Sequence, residues 1–197
     1  MSKIIKGNLF VIVVMILIAA LTRFIPHYPN FTAVGAMSLF GAAYLSRQSL
    51  ALIVPLVAML ISDLILNNVV YSQFYEGGFV FFTKGSIWIY GALALIVIFG
   101  KKILQKVNTK NFLVGAFVAS LVFFLLTNFG VWYSQTHGII PKSMAGLLAT
   151  FGAGLPFFWN TLLGNLFFGA VLFGVYEWYL SRKRVEAYSS SGYSTRT

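Results

Sequence analysis

The stretch Arg23–Leu45, RFIPHYPNFTAVGAMSLFGAAYL, decides the fold. It begins where a first hydrophobic run ends, passes through a polar segment that contains Pro26 and Pro29, and returns to apolar sequence at Ala33. A polar connector this short has too few apolar residues to fold as a domain of its own. Its position between two apolar runs predicts a loop that joins two membrane helices and covers a ligand as a lid.

The composition around this connector is that of a membrane protein. Of the 197 residues, 59% are hydrophobic and 9% are charged, whereas soluble domains contain about 25% charged residues. The mean hydropathy is +0.85. A soluble core of this size does not bury so much apolar surface, so lipid is the expected solvent.

Six apolar runs are predicted to cross the membrane as helices, because lipid offers no partners to unpaired backbone N–H and C=O groups. A spanning helix needs about 20 mainly apolar residues. The second run is shorter, and we expect it to begin inside the lid or to cross a thinned region. The runs are Asn8–Ile25, Phe31–Leu45, Leu50–Leu66, Gly85–Gly100, Phe112–Ser134 and Phe157–Leu180.

Ser143–Leu155 is a further apolar piece of 13 residues, which covers only about 20 Å as a helix. We interpret it as a short re-entrant or interfacial helix before the last span, since a seventh span would move the C-terminus to the outside. The expected fold is an all-α membrane protein: six transmembrane helices in one bundle. Residues 1–181 form this single transmembrane domain, and residues 182–197 form a short, disordered, basic and Ser-rich cytoplasmic tail.

The basic residues predict the orientation of this bundle. With both termini in the cytoplasm, the outside receives Arg23, Lys84 and Lys142, and the inside receives the other 11 of the 14 Lys and Arg residues. Cytoplasmic loops are enriched in Lys and Arg. The chain is therefore expected to be a multi-pass protein with both termini cytoplasmic.

In this orientation the polar residues of the apolar runs gather in the outer half of the membrane. An ionisable group within a span costs at least a few kcal/mol, which makes it a candidate for function. Pockets usually combine apolar walls with a few placed polar groups. The candidate ligand-binding residues are Asn30, Phe31, Thr32, Asp63, Asn128, Trp132, Trp159, Asn160 and Asn165.

Two interpretations of Asp63 stay open. Its carboxylate either pairs with Arg23 or bonds to loop backbone and so holds the lid closed, or it contacts the ligand directly. Arg23 and His27 are assigned to the lid and its ion pair. Glu177, near the inner end of the last span, is interpreted as a partner of the basic residues 182–184.

Several classes of function are excluded or disfavoured. The chain has no phosphate-binding glycine loop, no HExxH and no GxSxG, and without paired carboxylates in one span we expect it not to be an enzyme. It has no cysteine, which rules out thiolate metal sites. His27 and His137 alone make a poor metal site, and no cofactor is expected. The basic residues lie between apolar runs without a recognition motif, so nucleic acid is not an expected partner.

Four blocks of the chain resemble a known family. PNFTAVGAMSLFGAAYL (29–45), VPLVAMLISDLIL (54–66), FFLLTNFGVW (123–132) and PKSMAGLLATFGAGLPFFWNTLLGNLFF (141–168) are similar to an uncharacterised bacterial family of integral membrane proteins. That family in turn resembles, at the level of fold, the substrate-binding S components of energy-coupling-factor (ECF) vitamin transporters.

This resemblance implies a protein of the bacterial inner membrane that captures a vitamin-like molecule from the outer side. It implies a lid that contains Asn30, Phe31 and Thr32, with Asp63 below it. The partners it implies, besides membrane lipid, are an ECF-type transmembrane coupling subunit and two ATPases.

The sequence departs from the S-component pattern in its first helix. S components often dock their coupling subunit through small residues four apart, but here Arg23 follows Ala19 and Phe24 follows Ala20 at that spacing. Docking would then use Ser38, Ala42 and Ser46, or the protein works alone. The same spacing also suits packing within the bundle.

Three hypotheses follow from the sequence. The first is a solute-binding membrane protein of the S-component type that takes up a small vitamin or cofactor precursor. The second is a non-transporting membrane scaffold or assembly protein whose buried polar cluster is structural. The third, an enzyme acting on lipid or isoprenoid, has no acid–base pair to support it.

Overall fold

The structure, a computed structural model, describes residues 8–75, 78–134 and 140–193, with side chains up to residue 189. Every regular element in these ranges is helical, as the sequence predicts. The helices are α1 (Leu9–Leu21), α2 (Val34–Tyr44), α3 (Gln48–Ile65), α4 (Ser86–Ile103), α5 (Thr109–Ser134) and α6 (Met144–Tyr193). Short 3-10 helices, Thr22–Phe24 and Ser72–Phe74, and a π-helical turn, Leu66–Val70, extend or link them.

Four of these helices are long and apolar enough to cross a bilayer: α3 with its π-helical extension, α4, α5 and α6. The helices α1 and α2 are apolar but shorter. Such a set of helices is that of a membrane-embedded protein. The boundaries agree with the predicted runs to within a few residues everywhere except in α6.

The short helix α2 lies at the centre of the bundle. Nine consecutive residues, Val34–Ala42, are buried, and α2 packs against α1, α3, α4, α5 and α6. Its 11 residues cover about 16 Å, roughly half of the hydrocarbon thickness of a bilayer. Because protein surrounds α2, the backbone at its ends need not face lipid.

Small residues allow the other helices to approach α2 closely. A Cβ atom placed on Gly41 would lie 2.9 Å from Cγ of Pro55 in α3, and one on Gly100 in α4 would lie 3.0 Å from Cδ2 of Leu39. Ser38 and Ala42 are buried in the same core. Ser38 and Ala42 therefore serve packing within the chain, whereas Ser46, beyond the end of α2, is exposed.

The helix α6 corrects two predictions. It runs without interruption from Met144 to Tyr193 over 50 residues, so the separate helix at Ser143–Leu155 is wrong. Pro156 lies inside the helix; a proline removes only its own bond to the carbonyl four residues earlier, and membrane helices tolerate this. Residues 182–193, expected to be part of a disordered tail, continue the same helix.

The two ends of the bundle differ. The connector end carries the connector loop (residues 25–33) and, between α3 and α4, residues 71–75 and 78–85. The basic end carries Arg47, Lys101, Lys102, Lys106, Lys110 and Arg182–Arg184. There Nζ of Lys101 donates to the carbonyl oxygens of Leu45, at 2.8 Å, and Ser46, at 2.9 Å. The expected clustering of positive charge at one end is present, and the side of the membrane that each end faces stays a prediction.

Candidate functional site

One carboxylate at the connector end joins three helices. The 3-10 turn that follows α1 carries Arg23, whose Nη2 lies 2.7 Å from Oδ1 of Asp63 in α3. The hydroxyl of Tyr90 in α4 donates to Oδ2 of the same carboxylate at 2.8 Å. The ion pair, one of the alternatives that the sequence left open for Asp63, is therefore present.

The guanidinium of Arg23 has further partners on α3. Its Nη1 donates to Oγ of Ser62 and, at 3.5 Å, to the carbonyl oxygen of Met59. The side chains of Arg23 and Asp63 are only 14% and 15% exposed. Partly buried charges are stable when they are paired and hydrogen-bonded, and both conditions are met here.

The π-helical turn that continues α3 adds two polar residues, Asn67 and Asn68. Asn67 lies four positions beyond Asp63, on the same helical face. It is 9% exposed, and its amide has no hydrogen-bond partner among the residues that the structure describes. Asn68 is satisfied: its amide accepts from the N–H of Val80 at 2.7 Å and donates to the carbonyl oxygen of Val80 at 2.9 Å.

The connector loop is held against α6. Nδ2 of Asn160 donates to the carbonyl oxygen of Pro29 at 2.9 Å, and the ring of Phe31 packs at 5.9 and 5.5 Å, between centroids, on Phe167 and Phe168. A Cβ atom on Gly164 would lie 2.9 Å from the backbone nitrogen of Thr32. The backbones of the connector loop and α6 are thus in contact at Gly164 and at Thr32, which lies two residues before α2 begins.

Asn30 makes the turn of this loop. Its φ is 63°, a left-handed conformation that Asn adopts more readily than most residues. The next N–H, that of Phe31, donates to the carbonyl oxygen of Tyr28 at 3.0 Å. Asn30, Phe31 and Thr32 therefore form the predicted connection into α2, and their proposed contact with a ligand stays a prediction.

Two open depressions lie at this end. A groove beside the network is lined by Phe82, Thr83, Lys84, Ser86, Ile87 and Tyr90. A shallower one is lined by Pro26, His27, Tyr28, Pro29 and Phe31. His27 is exposed in the second and does not take part in the ion pair of Arg23, to which the sequence assigned it. His137 lies outside the described residues.

The structure does not bring Asp63, Asn128 and Asn160 to one cavity. Nδ2 of Asn128 donates to the carbonyl oxygen of Phe124 in its own helix at 2.8 Å, and its side chain lies against Gly154 of α6. Asn160 holds the connector loop instead. The three residues belong to separate contacts.

The remaining candidates are separate as well. Nδ2 of Asn165 donates to Oγ of Ser120 at 2.9 Å, and its buried Oδ1 faces Gly35 of α2, a geometry that suits a Cα–H···O contact. Trp159 is 59% exposed. Nε1 of Trp132 donates to the carbonyl oxygen of Pro141 at 3.2 Å.

Sequence reasoning missed Tyr90 and misplaced Glu177. A tyrosine in an apolar helix needs a partner for its hydroxyl, and this signal, which was not used, could have identified Tyr90. The predicted pairing of Glu177 with residues 182–184 is wrong, because Tyr44 donates to its Oε1 at 2.7 Å. Arg182 lies instead over the ring of Trp178.

The matched family extends over nearly the whole chain: a model described as "Family of unknown function (DUF6580)" matches residues 3–188. The chain belongs to this family. No curated protein and no solved structure matches it. The expected relation to a family without an assigned activity is therefore confirmed, whereas none of the comparisons shows similarity to S components. Among the residues that the structure describes, no three His, Asp or Glu side chains are grouped as a metal site.

Proposed function

We propose that this protein is a membrane-embedded solute-binding protein of the ECF S-component type, which captures a small vitamin or cofactor precursor for uptake. In this proposal it lies in a bacterial inner membrane with both termini cytoplasmic. The connector end faces outward, and the connector loop acts as the lid.

The observation that carries the proposal is that Tyr90 belongs both to the groove and to the network around Asp63. Its ring lines the groove at the connector end, and its hydroxyl bonds to the carboxylate that holds Arg23. Arg23 lies two residues before the connector loop. A ligand that moves Tyr90 thus acts, through one hydrogen bond, on the ion pair at the start of the lid.

The unpartnered amide of Asn67 supports the same location. Among the described residues, the fully buried side-chain atoms without a partner are Oδ1 of Asn165 and the hydroxyl of Tyr176. The amide of Asn67 is not one of them, so it reaches the surface of the bundle and can bond to a ligand there. Asn67 lies one turn beyond Asp63 on α3. It is available to a ligand that enters when the lid opens.

The central position of α2 limits the partners in this proposal. A coupling subunit with its ATPases would have to contact the outer faces of the other helices, because Ser38 and Ala42 are buried. Otherwise the protein works alone.

A vitamin panel tests the proposal. We expect one member to raise the melting temperature of the purified protein and to protect the connector loop from proteolysis. The Tyr90→Phe variant keeps the ring but loses the bond to Asp63, so it should bind with the loop left unprotected. Tyr44→Phe, which removes the corresponding bond to Glu177 at the other end, is the matched control and should behave as wild type. The proposal fails if no panel member binds, or if the two variants protect the loop equally.

A second candidate is the membrane scaffold or assembly protein. The observation that favours it is that Asn128, Asn160 and Asn165 are each engaged in a separate contact. It predicts a partner protein that co-purifies, and an Asp63→Ala variant that loses stability while no member of the panel binds to the wild type.

A further inference from the structure

We infer that the groove beside Tyr90 takes a small ring-bearing acid, that is, a flat apolar molecule with one anionic group. This inference rests on the proposed function and names the ligand class for that site. It follows from the shape of the groove walls and from the balance of charge around them.

The walls suit a flat ring. The rings of Phe82 and Tyr90 lie 5.8 Å apart between centroids and at 85° to each other. Phe82 and Ile87 are 60% and 75% exposed. The rings of Phe82 and Tyr90 are already in edge-to-face contact, so a ligand ring packs on the exposed side of this pair, against Phe82 and Ile87.

The charge around the groove favours an anion. The ammonium of Lys84 belongs to the groove lining, and it forms no ion pair within the described part of the chain. Among the described residues, the carboxylate that contacts the groove lining is Asp63, which accepts from Tyr90 and pairs with Arg23. Within the described lining a cationic ligand would meet the like charge of Lys84 and no carboxylate, whereas an acid would find a counter-charge in Lys84.

The polar groups between these residues are engaged with each other. The N–H of Thr83 donates to Oγ of Ser86 at 2.9 Å, and the two hydroxyls lie 3.0 Å apart. These hydrogen bonds between Thr83 and Ser86 fix the turn that contains Lys84. Lys84 is thus the group in the lining that can recognise a ligand's charge, while the rings recognise its body.

Binding of two probes to the protein in phosphatidylcholine nanodiscs tests the inference. The probes are 2-naphthoate and 2-naphthalenemethanol, which share a ring system and differ in charge. We expect the wild type to bind the acid about fivefold more tightly than the alcohol, as one exposed charge pair allows. The Lys84→Gln variant should lose this preference and keep its affinity for the alcohol.

Lys142→Gln is the matched control. Lys142 also belongs to the connector end, but it lies over the ring of Tyr133 and does not line the groove. Its variant should keep the preference for the acid. If the two lysine variants had equal effects, the preference for the acid would come from the general positive charge of this end, and the inference would be overturned. Equal wild-type affinities for the two probes, or no binding of either probe, would also overturn it.

The two proposals fail in different ways. If the vitamin panel yields a neutral or cationic ligand, the inference about an acid is wrong and the proposed function stands. If no panel member binds while the naphthoate preference depends on Lys84, the groove is an acid site and the proposed uptake of a vitamin is wrong.

Discussion

Asp63 at the connector end and Glu177 at the basic end are alike in one respect and different in another. Each accepts a tyrosine hydroxyl from a neighbouring helix, at 2.8 Å from Tyr90 and at 2.7 Å from Tyr44. Asp63 also pairs with an arginine, whereas Glu177 forms no ion pair among the described residues. The first pair joins the bundle to a loop, and the second joins α2 to α6 within an aromatic cluster.

This difference shows what the arginine adds. At the basic end the tyrosine bond adds to the packing of Phe40 and Tyr44 on the aromatic rings of α6, and no arginine among the described residues takes part. At the connector end the extra charge pair connects the helices to the residues that lead into the connector loop. We therefore expect loss of the Arg23–Asp63 ion pair to affect the connector loop. For this reason we place the function at the connector end.

The largest effect is expected from neutralising Asp63. Asp63→Asn leaves the partly buried Arg23 without its counter-charge, and we expect a loss of about 3 kcal/mol in the free energy of unfolding. Equilibrium unfolding in mixed detergent micelles, followed by tryptophan fluorescence, measures it. The double variant Arg23→Met/Asp63→Asn should regain most of the loss, and a double variant as unstable as the single one would contradict this account.

The next effect comes from the contact between α6 and the connector loop. In Gly164→Ala the new Cβ would meet the backbone of Thr32, which cannot rotate away, so we expect a loss of about 2 kcal/mol from overpacking. Gly174→Ala on the same helix is the control, because nothing lies within 4 Å of its Cβ position. If both variants were neutral, the loop would not rest on α6.

A smaller effect is expected from Asn160→Ala. Loss of the hydrogen bond to Pro29 should reduce stability by about 1 kcal/mol and increase hydrogen exchange at Phe31 and Thr32. The Asn128→Ala variant serves for comparison, because its amide bonds within α5. Equal hydrogen exchange at Phe31 and Thr32 in the two variants would contradict the role of Asn160 in holding the connector loop.

The smallest effect is predicted for Glu177→Gln. An amide oxygen still accepts from Tyr44, and no cation loses its partner, so the change should stay below about 1 kcal/mol. The same unfolding measurement checks it. A loss as large as that of Asp63→Asn would show that the two ends do not differ in the way described.

Much of the fold could be predicted from sequence because lipid leaves few choices. Apolar runs must be helical, and this gave α1, α3, α4 and α5 with nearly correct ends. The continuity of α6 was missed because Ser143–Leu155 was judged by itself, as a piece too short to cross a bilayer, and not as the first part of a longer helix. The depth of α2 could not be predicted, since composition does not distinguish a helix that faces lipid from one that faces protein.

The site was predictable only in part. The pairing of Asp63 with Arg23 was one of two alternatives that the sequence left open, and it is present because a span rarely holds an unpaired carboxylate. Tyr90 was missed because tyrosines are common in this chain, and the direction of its hydroxyl depends on how α4 packs on α3. The amides of Asn128, Asn160 and Asn165 could not be assigned for the same reason: an amide serves a ligand or a neighbouring helix equally well.

The central position of α2 has a consequence for how the protein is made. A helix of 11 residues cannot rest across a bilayer by itself, yet α3, α4, α5 and α6, which enclose it, are synthesised after it. We therefore expect α2 to be held by α1 or by the insertion machinery until α3 to α6 have been synthesised. Biogenesis of this protein is then an ordered assembly in which the centre is completed last, and a chain that stops before α6 is a substrate for quality control.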